Sequence, residues 1–147
     1  MLEFPVGENN VIEIAHRGHS ENDKDNSINA FTSAINNKFN MIELDIQLTK
    51  DDIIIIYHDT YINDVLIADT TYKNIIDIDP DIMKLTDFLE RVYSNNNIPI
   101  CLDIKGTKNI VNVLPNIIRR YNLKNMFIGS FNIQIIENLH KIDPLLQ

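Results

Sequence analysis

Hydrophobic residues along this chain occur in short runs and alternations that predict β-strands. Five segments carry this pattern, and they cover residues 11–15, 41–48, 53–57, 98–105 and 125–130. In 41–48 and 98–105 apolar residues alternate with polar ones, so every second side chain faces the same side of the strand. Turn residues at 50–52 separate the second and third segments, which predicts a hairpin between them.

Between the strands, apolar residues recur at spacings of three and four, which is typical of amphipathic helices. The clearest case is 27–37, in which Ile28, Phe31 and Ile35 share one face. Three more helices are predicted: one that starts at Thr86, one over about 109–121 that begins or kinks at Pro115, and one over 132–141.

The alternation of strands and helices predicts a parallel sheet, either open and doubly wound or closed as a (β/α) barrel. An open sheet meets helices on both faces, so both faces of its strands should be apolar. The polar side chains on one face of 41–48 and 98–105 instead suit the lumen of a barrel, whose carboxyl end carries catalytic residues. We therefore predict an α/β protein of the TIM-type (β/α) barrel class.

The chain is short for such a barrel. It has 147 residues, a usual length for one domain, whereas a complete barrel of eight units needs about 250. We count four to five β/α units with a hairpin insertion after the second strand, and we treat 1–147 as a single partial domain. Residues 60–81 are polar and too long for an ordinary connection, which predicts a lid or a decoration. Residues 145–147 resemble the beginning of another strand.

Charge and composition narrow the classes of partner. A formal net charge of −8 argues against nucleic acid as a partner and against a basic patch for a membrane surface. No apolar run approaches the roughly 18–20 residues of a transmembrane segment, and the first residues lack the regions of a signal peptide. The single cysteine, Cys101, leaves no intramolecular disulfide and is interpreted as a small buried hydrophobe. We expect a cytoplasmic protein.

Acidic residues on two of the predicted strands suggest a metal site. Glu43 and Asp45 stand two positions apart and therefore face the same side, and Asp103 is expected on a neighbouring strand. Three carboxylates that converge suit a hard cation, Ca²⁺ or Mg²⁺. There are plainer alternatives: Glu43 and Asp45 could be the solvated face of an edge strand, and Asp103 could form a structural ion pair with Lys105.

Basic residues near the strand ends suggest what such a metal would act on. Arg17 and Lys105 supply positive charges that, beside a divalent ion, would stabilise a phosphoryl group. His16 and His58 lie at strand ends, and imidazole is suited to acid and base catalysis of ester cleavage. His19 and His140 lack such a setting, so we interpret them as structural or surface residues.

These motifs, in order along the chain, resemble the glycerophosphodiester phosphodiesterase family. The matching segments are His16-Arg17-Gly18, Asp25-Asn26-Ser27 before Ala30-Phe31, Glu43-Leu44-Asp45, Thr49-Lys50-Asp51-Asp52, His58-Asp59, Asp103-Ile104-Lys105 and Ser130-Phe131-Asn132. Each motif alone is weak, but together they are specific and cover nearly the whole chain. The resemblance implies a metal-dependent hydrolase that cleaves small glycerophosphodiesters to glycerol 3-phosphate and an alcohol.

The resemblance also implies a role for seven residues. They are His16 and His58 as general acid and base, Glu43, Asp45 and Asp103 as ligands of Ca²⁺ or Mg²⁺, and Arg17 and Lys105 as catalytic, phosphate-binding cations. Two positions depart from the family pattern, since Asp103 and Asp25 both stand where glutamate is usual. The last strands of the family, which shape the glycerol side of the pocket, have no counterpart in this sequence.

Two alternatives remain beside this interpretation. A sphingomyelinase D-like phospholipase would share the metal site and the histidines, and aspartate is known there at the position of Asp103. The other alternative is a catalytically impaired half-barrel that binds phosphate or dimerises. A half-barrel exposes two sheet edges, so we expect a homo-oligomer that covers them.

Overall fold

The computed structural model describes residues 11–144 and contains one main sheet. The strands are β1 (Ile14–His16), β2 (Met41–Leu48), β3 (Ile54–Ile56), β4 (Tyr61–Ile62), β5 (Val65–Leu66), β6 (Ile100–Ile104) and β7 (Met126–Ser130). Strands β1, β2, β6 and β7 are parallel and neighbours in that order. Strand β3 runs antiparallel to the end of β2, beyond β1. The predicted parallel sheet with a hairpin insertion is confirmed.

The helices fill the connections between the parallel strands. They are α1 (Ile28–Asn36), α2 (Tyr72–Ile78), α3 (Leu85–Phe88), α4 (Ser94–Asn96), α5 (Leu114–Arg120) and α6 (Ile133–Ile142). A π-helical turn, Leu89–Tyr93, joins α3 to α4. Short 3₁₀ segments precede α2 and α5, at Ile67–Asp69 and Lys108–Asn112. None of the helices between residues 11 and 144 is long and apolar enough to cross a bilayer.

The apolar face of each parallel strand packs against the helices. Ile42, Leu44 and Ile46 of β2 are fully buried in the main core, together with Phe31 of α1. The Phe31 ring meets Phe88 edge to face, with ring centroids 4.9 Å apart. Because one strand face is covered in this way, the polar residues of β2 and β6 lie on the opposite face. This is the arrangement of a (β/α) barrel wall, and the partial barrel is confirmed.

Several predicted boundaries were wrong by a few residues, for local physical reasons. The first strand begins at Ile14 and not at residue 11, because its pairing with β2 starts at Ile14 opposite Met41. The helix predicted over about 109–121, kinked or begun near Pro115, is a 3₁₀ segment followed by α5, so its start near Pro115 agrees with the structure. Pro115 lies in the first turn of α5, where its missing N–H costs nothing.

The polar excursion at 60–81 is a packed unit and not a loop. It consists of the β4–β5 hairpin, the first 3₁₀ segment and α2. Its isoleucines form a second, smaller core against Ile55 of β3, and the members of that core are Ile55, Ile62, Ile67, Ile75 and Ile82. Alternate residues of β3 therefore serve two cores, since Ile54 and Ile56 belong to the main one. The predicted strand start at 145–147 lies outside the described residues.

Candidate active site

Three carboxylates converge on the polar face of β2 and β6. Asp45 and Asp103 are paired in register on these neighbouring strands, and Glu43 lies two residues before Asp45. One oxygen from each of the three carboxylates lies within 4.8 Å of the other two. The structure therefore brings together the three residues that the sequence suggested as metal ligands, and neither β2 nor its acidic face is a solvated sheet edge.

Asp45 is the buried centre of this cluster, with no exposed surface. Its Oδ2 atom accepts a hydrogen bond from the Asn26 side-chain amide at 2.9 Å and lies 3.1 Å from Nε of Arg17. Its Oδ1 atom lies 3.3 Å from the Lys105 ammonium, yet the angles there do not make a hydrogen bond. A buried carboxylate oxygen without a hydrogen bond is unusual, and it marks a position that suits a cation ligand.

Glu43 is placed by the turn that follows β1. Its Oε2 atom accepts a hydrogen bond from the Arg17 backbone N–H at 2.9 Å and lies 3.9 Å from Nε2 of His16. Burial raises the pKa of Glu43, and the nearby carboxylates of Asp45 and Asp103 raise it further, against the opposing effects of the Arg17 amide and His16. Full ionisation of all three carboxylates is therefore unfavourable unless positive charge lies nearby.

Lys105 supplies part of the compensating charge. Its ammonium donates a hydrogen bond to Oδ2 of Asp103 at 2.6 Å, so the predicted ion pair of these two residues is present. Burial lowers the pKa of Lys105, but the hydrogen bond to Asp103 and the charges of Asp103 and Asp45 outweigh it and leave the pKa raised. Lys105 and Arg17 face three carboxylates, so the charge of the site suits a divalent cation.

A tight turn after β1 fixes Arg17. Both Arg17 and Gly18 have positive φ, at 58° and 85°. A Cβ atom at Gly18 would lie 2.7 Å from the carbonyl carbon of Ala30, so a glycine is required there by conformation and by space. Asp25 lies 3.5 Å from Nη1 of Arg17 and accepts a hydrogen bond from Ser20. The His-Arg-Gly segment is thus the sequence of a turn as well as of a site.

The two histidines lie on the open side of the cluster. The side chains of His16 and His58 are 71% and 41% exposed. Both line a cavity of about 580 Å³ that also contains Arg17, Glu43, Cys101, Asp103, Lys105, Gly129, Ser130 and Phe131. All predicted site residues except the buried Asp45 therefore line one cavity. The Phe131 side chain is 96% exposed and lies against the Lys105 ammonium, 5.3 Å from ring centroid to Nζ.

Asp59 orients the imidazole of His58. Nδ1 of His58 and Oδ1 of Asp59 are 2.7 Å apart. Since an ionised carboxylate only accepts hydrogen bonds, this contact assigns the Nδ1 proton to His58 and leaves Nε2 as the proton-accepting nitrogen of the neutral ring.

Other residues took roles that the sequence reasoning did not assign. Asn26, with φ of 58°, donates to Asp45 and its backbone N–H bonds the Arg17 carbonyl at 2.9 Å. Asparagine tolerates this left-handed conformation, so its presence in the sequence was the one signal that could have indicated a turn residue here.

His19 is structural as expected, with Nδ1 2.8 Å from the Ser33 hydroxyl and its ring against Phe39. Cys101 is only partly buried, and burial followed by the charges of Glu43 and Asp103 raises the pKa of its thiol to about 11.

Known proteins resemble this chain in sequence and in fold. A glycerophosphodiester phosphodiesterase from Caldanaerobacter subterraneus is 30% identical over 93% of this chain and 65% of its own length. A lysophospholipase D from Homo sapiens is 26% identical over 87% of this chain and 48% of its own length. An Oleispira antarctica phosphodiesterase, solved with the product sn-glycerol-3-phosphate, superposes with a TM-score of 0.81 at 22% identity, over 90% of this chain and 62% of that one.

The chain thus spans about half to two thirds of the length of these relatives. The model of the glycerophosphoryl diester phosphodiesterase family matches residues 16–145. The segment that the family model matches includes the His-Arg-Gly turn, Glu43 and Asp45 of β2, Asp103 of β6, and the Ser-Phe segment at the end of β7. This chain therefore belongs to the glycerophosphoryl diester phosphodiesterase family.

Proposed function

We propose that this chain carries the catalytic centre of a glycerophosphodiester phosphodiesterase, which hydrolyses small glycerophosphodiesters to glycerol 3-phosphate and an alcohol. The supporting observation is that two cations, two histidines and two carboxylates of the acidic cluster line one cavity, with the third carboxylate, Asp45, buried next to them. Of the relatives named above, the Caldanaerobacter protein carries this activity in its name and the Oleispira phosphodiesterase was solved with its product, whereas the human protein is named a lysophospholipase D. None of the three is named as a sphingomyelinase D, so they do not favour that alternative.

A divalent cation, Ca²⁺ or Mg²⁺, fits the acidic cluster. We propose that Glu43, Asp45 and Asp103 hold it, because Oδ1 of Asp45 is buried without a hydrogen bond and the three carboxylates together outnumber the two cations. When bound, such a cation would supply Lewis-acid polarisation of a phosphate oxygen. The hard carboxylate oxygens favour Ca²⁺ and Mg²⁺ over softer metals.

The proposed roles of the remaining residues follow from their places. Arg17 and Lys105 bind the phosphate and stabilise its negative charge as it grows in the transition state. One histidine accepts a proton from the attacking water or hydroxyl as its oxygen bonds to phosphorus. The other donates a proton to the alcohol oxygen as the old P–O bond breaks. His58, whose Nε2 is the free nitrogen, suits either step, as does the exposed His16.

Substrate binding and association are further proposals. In the described sheet β1 and β7 are the edge strands, and Phe131 and Ile133 are exposed at 96% and 65% beside the site. A homo-oligomer that covers these surfaces would complete the walls of the cavity. We expect weak substrate binding, seen as a raised KM, where no such association occurs. The single domain over 1–147 and the cytoplasmic location stay predictions.

A hydrolysis assay with matched variants tests the proposal. Glycerophosphocholine should be cleaved in the presence of Ca²⁺ or Mg²⁺, and excess chelator should abolish turnover. Glu43→Gln should lose both metal binding, measured by calorimetry, and activity. Glu137→Gln, an exposed glutamate on α6, makes the same chemical change away from the site and should behave like wild type.

The outcomes separate the alternatives. Full turnover in excess chelator would contradict the metal-dependent mechanism. Metal binding without hydrolysis would favour the half-barrel that binds phosphate. Light scattering would report whether a dimer forms, and a folded monomer would exclude the proposed homo-oligomer.

A further inference from the structure

A buried glutamine contacts the segment that carries His58. Gln47 is 2% exposed and lies on β2, on the same face as Glu43 and Asp45. Its side-chain amide donates two hydrogen bonds, to the carbonyl of Tyr57 at 2.7 Å and to the carbonyl of Asp59 at 2.8 Å. These carbonyls belong to the residues just before and just after His58, so one side chain holds the Tyr57–His58 peptide and the Asp59–Thr60 peptide.

This contact lies beyond the last paired residues of β2 and β3, where strand pairing no longer fixes the backbone. The pairing of β2 with β3 ends at Ile46 opposite Ile56, and β3 ends there. Beyond it, the Tyr57 N–H still bonds the Asp45 carbonyl at 3.1 Å. The direction of the His58 side chain depends on the dihedral angles between residues 57 and 59. The two Gln47 hydrogen bonds restrict those angles because they hold the Tyr57–His58 peptide and the Asp59–Thr60 peptide in place.

Gln47 is itself held in place from the other side. Gly106, with φ of 77°, follows Lys105, and a Cβ atom there would lie 3.4 Å from Oε1 and 3.5 Å from Cβ of Gln47. The glutamine thus lies between the segment that carries His58 and the segment that follows Lys105. Its position is coupled to both.

We infer that Gln47 is a positioning residue that sets the His58 imidazole relative to Lys105 and the acidic cluster. It acts through the backbone on either side of His58 and touches no reacting atom. The kinetic consequence rests on the proposed function, because it requires His58 to transfer a proton. The structural consequence, an ordered segment 57–59, does not depend on any activity.

Two substitutions remove the donors in different ways. Gln47→Met keeps the length of the side chain and removes both N–H donors. Gln47→Glu keeps the shape but turns a carboxylate oxygen toward two carbonyl oxygens, which repel it, so its effect should be larger. Thr70→Val is the matched control: Thr70 is also buried and also donates to a backbone carbonyl, that of Leu66 at 2.8 Å, away from the site.

The first readout is independent of activity. Hydrogen exchange measured by NMR at the Tyr57 amide should accelerate roughly tenfold or more in both Gln47 variants, since local opening frees that amide. The His58 ring signals should shift or broaden in the same variants. Thr70→Val should leave the Tyr57 amide and the His58 signals unchanged.

The second readout separates positioning from general loosening. With glycerophosphocholine, kcat should fall about tenfold or more in Gln47→Met, and further in Gln47→Glu, while KM changes little. Thr70→Val should keep kcat. Unchanged Tyr57 exchange, unchanged His58 signals and unchanged kcat in Gln47→Met would overturn the inference.

The wild-type chain could prove inactive, or Gln47→Met could fail to fold. If wild type hydrolyses nothing, the proposed function fails, and the exchange and ring signals alone decide the role of Gln47. If Gln47→Met does not fold, Gln47→Ser leaves room for water and shortens the side chain, so it removes the direct contact. Normal exchange at Tyr57 and normal His58 signals in Gln47→Ser would then count against the inference.

Discussion

The candidate site has two regions that are built in different ways. The acidic region consists of Glu43, Asp45 and Asp103 with the cations Arg17 and Lys105, and its members are buried or partly buried and contact one another. The histidine region consists of His16, which is exposed, and His58, which is partly exposed and contacts Asp59. The difference teaches that substitutions in the acidic region can change both stability and activity, whereas those in the histidine region should change activity alone.

Asp45→Ala should give the largest effect and would test the stability of the acidic region. The change removes a fully buried carboxylate and leaves Arg17 and Asn26 without their partner. Loss of one member of a buried ion pair typically costs 3–5 kcal/mol, and we expect about 3 kcal/mol because Lys105 keeps Asp103. Denaturant unfolding of metal-free protein measures it. Asp77→Ala, at an exposed aspartate, should change the unfolding free energy by less than about 0.5 kcal/mol.

His16→Ala and His58→Ala should show the opposite pattern. Each should lower kcat by a factor on the order of 10² or more, the usual scale for loss of a general acid or base. The melting temperature should move little, because both side chains are substantially exposed. His140→Ala, at the exposed end of α6, is the control and should leave both quantities unchanged. Normal kcat in both site variants would show that the histidines have no role in proton transfer.

Glu43→Gln should have the smallest effect on stability. It distinguishes Glu43 from Asp45 within the acidic region. The folded pKa of Glu43 is raised above its ordinary value of 4.5. Its contribution to stability is therefore present below about pH 4.5 and is lost as the pH rises through the folded pKa. At neutral pH, metal-free Glu43→Gln should be as stable as wild type or slightly more stable. A marked drop in its melting temperature would mean that the Glu43 charge stabilises the fold.

Much of the fold followed from the spacing of apolar residues. Strand β2 was predicted over its full length because alternation there is uninterrupted and one face is buried. Helix α1 followed from Phe31 and its neighbours, with Ser27 as the N-cap that accepts from the Ala30 amide. Residues 60–81 were predicted as a lid or a decoration, but the elements within them were not predicted, because the short strands and the helix contact each other through isoleucines spread over the segment. Such a tertiary core leaves no local period in the sequence.

The site was predictable where the chemistry of a residue and its position on a strand coincide. Glu43, Asp45 and Asp103 were found because carboxylates at every second position of a strand share a face. Gln47 was missed although it lies on the same face, because its role depends on carbonyl groups of Tyr57 and Asp59 in a loop. No pattern of residue types reveals a contact between a side chain and a distant backbone. The roles of the predicted residues stay predictions until variants are measured.

The register of β2 also orders the folding of the chain. Ile46 of β2 meets Ile56 across a short hairpin, whereas Asp45 meets Asp103 only after a much longer loop has closed. Closing a longer loop costs more chain entropy, so the hairpin should form first. The carboxylates then come together late, when most of β2 is already in place. Most of the sheet topology has therefore formed before the carboxylates approach one another. For this reason their mutual repulsion should lower the folding rate little.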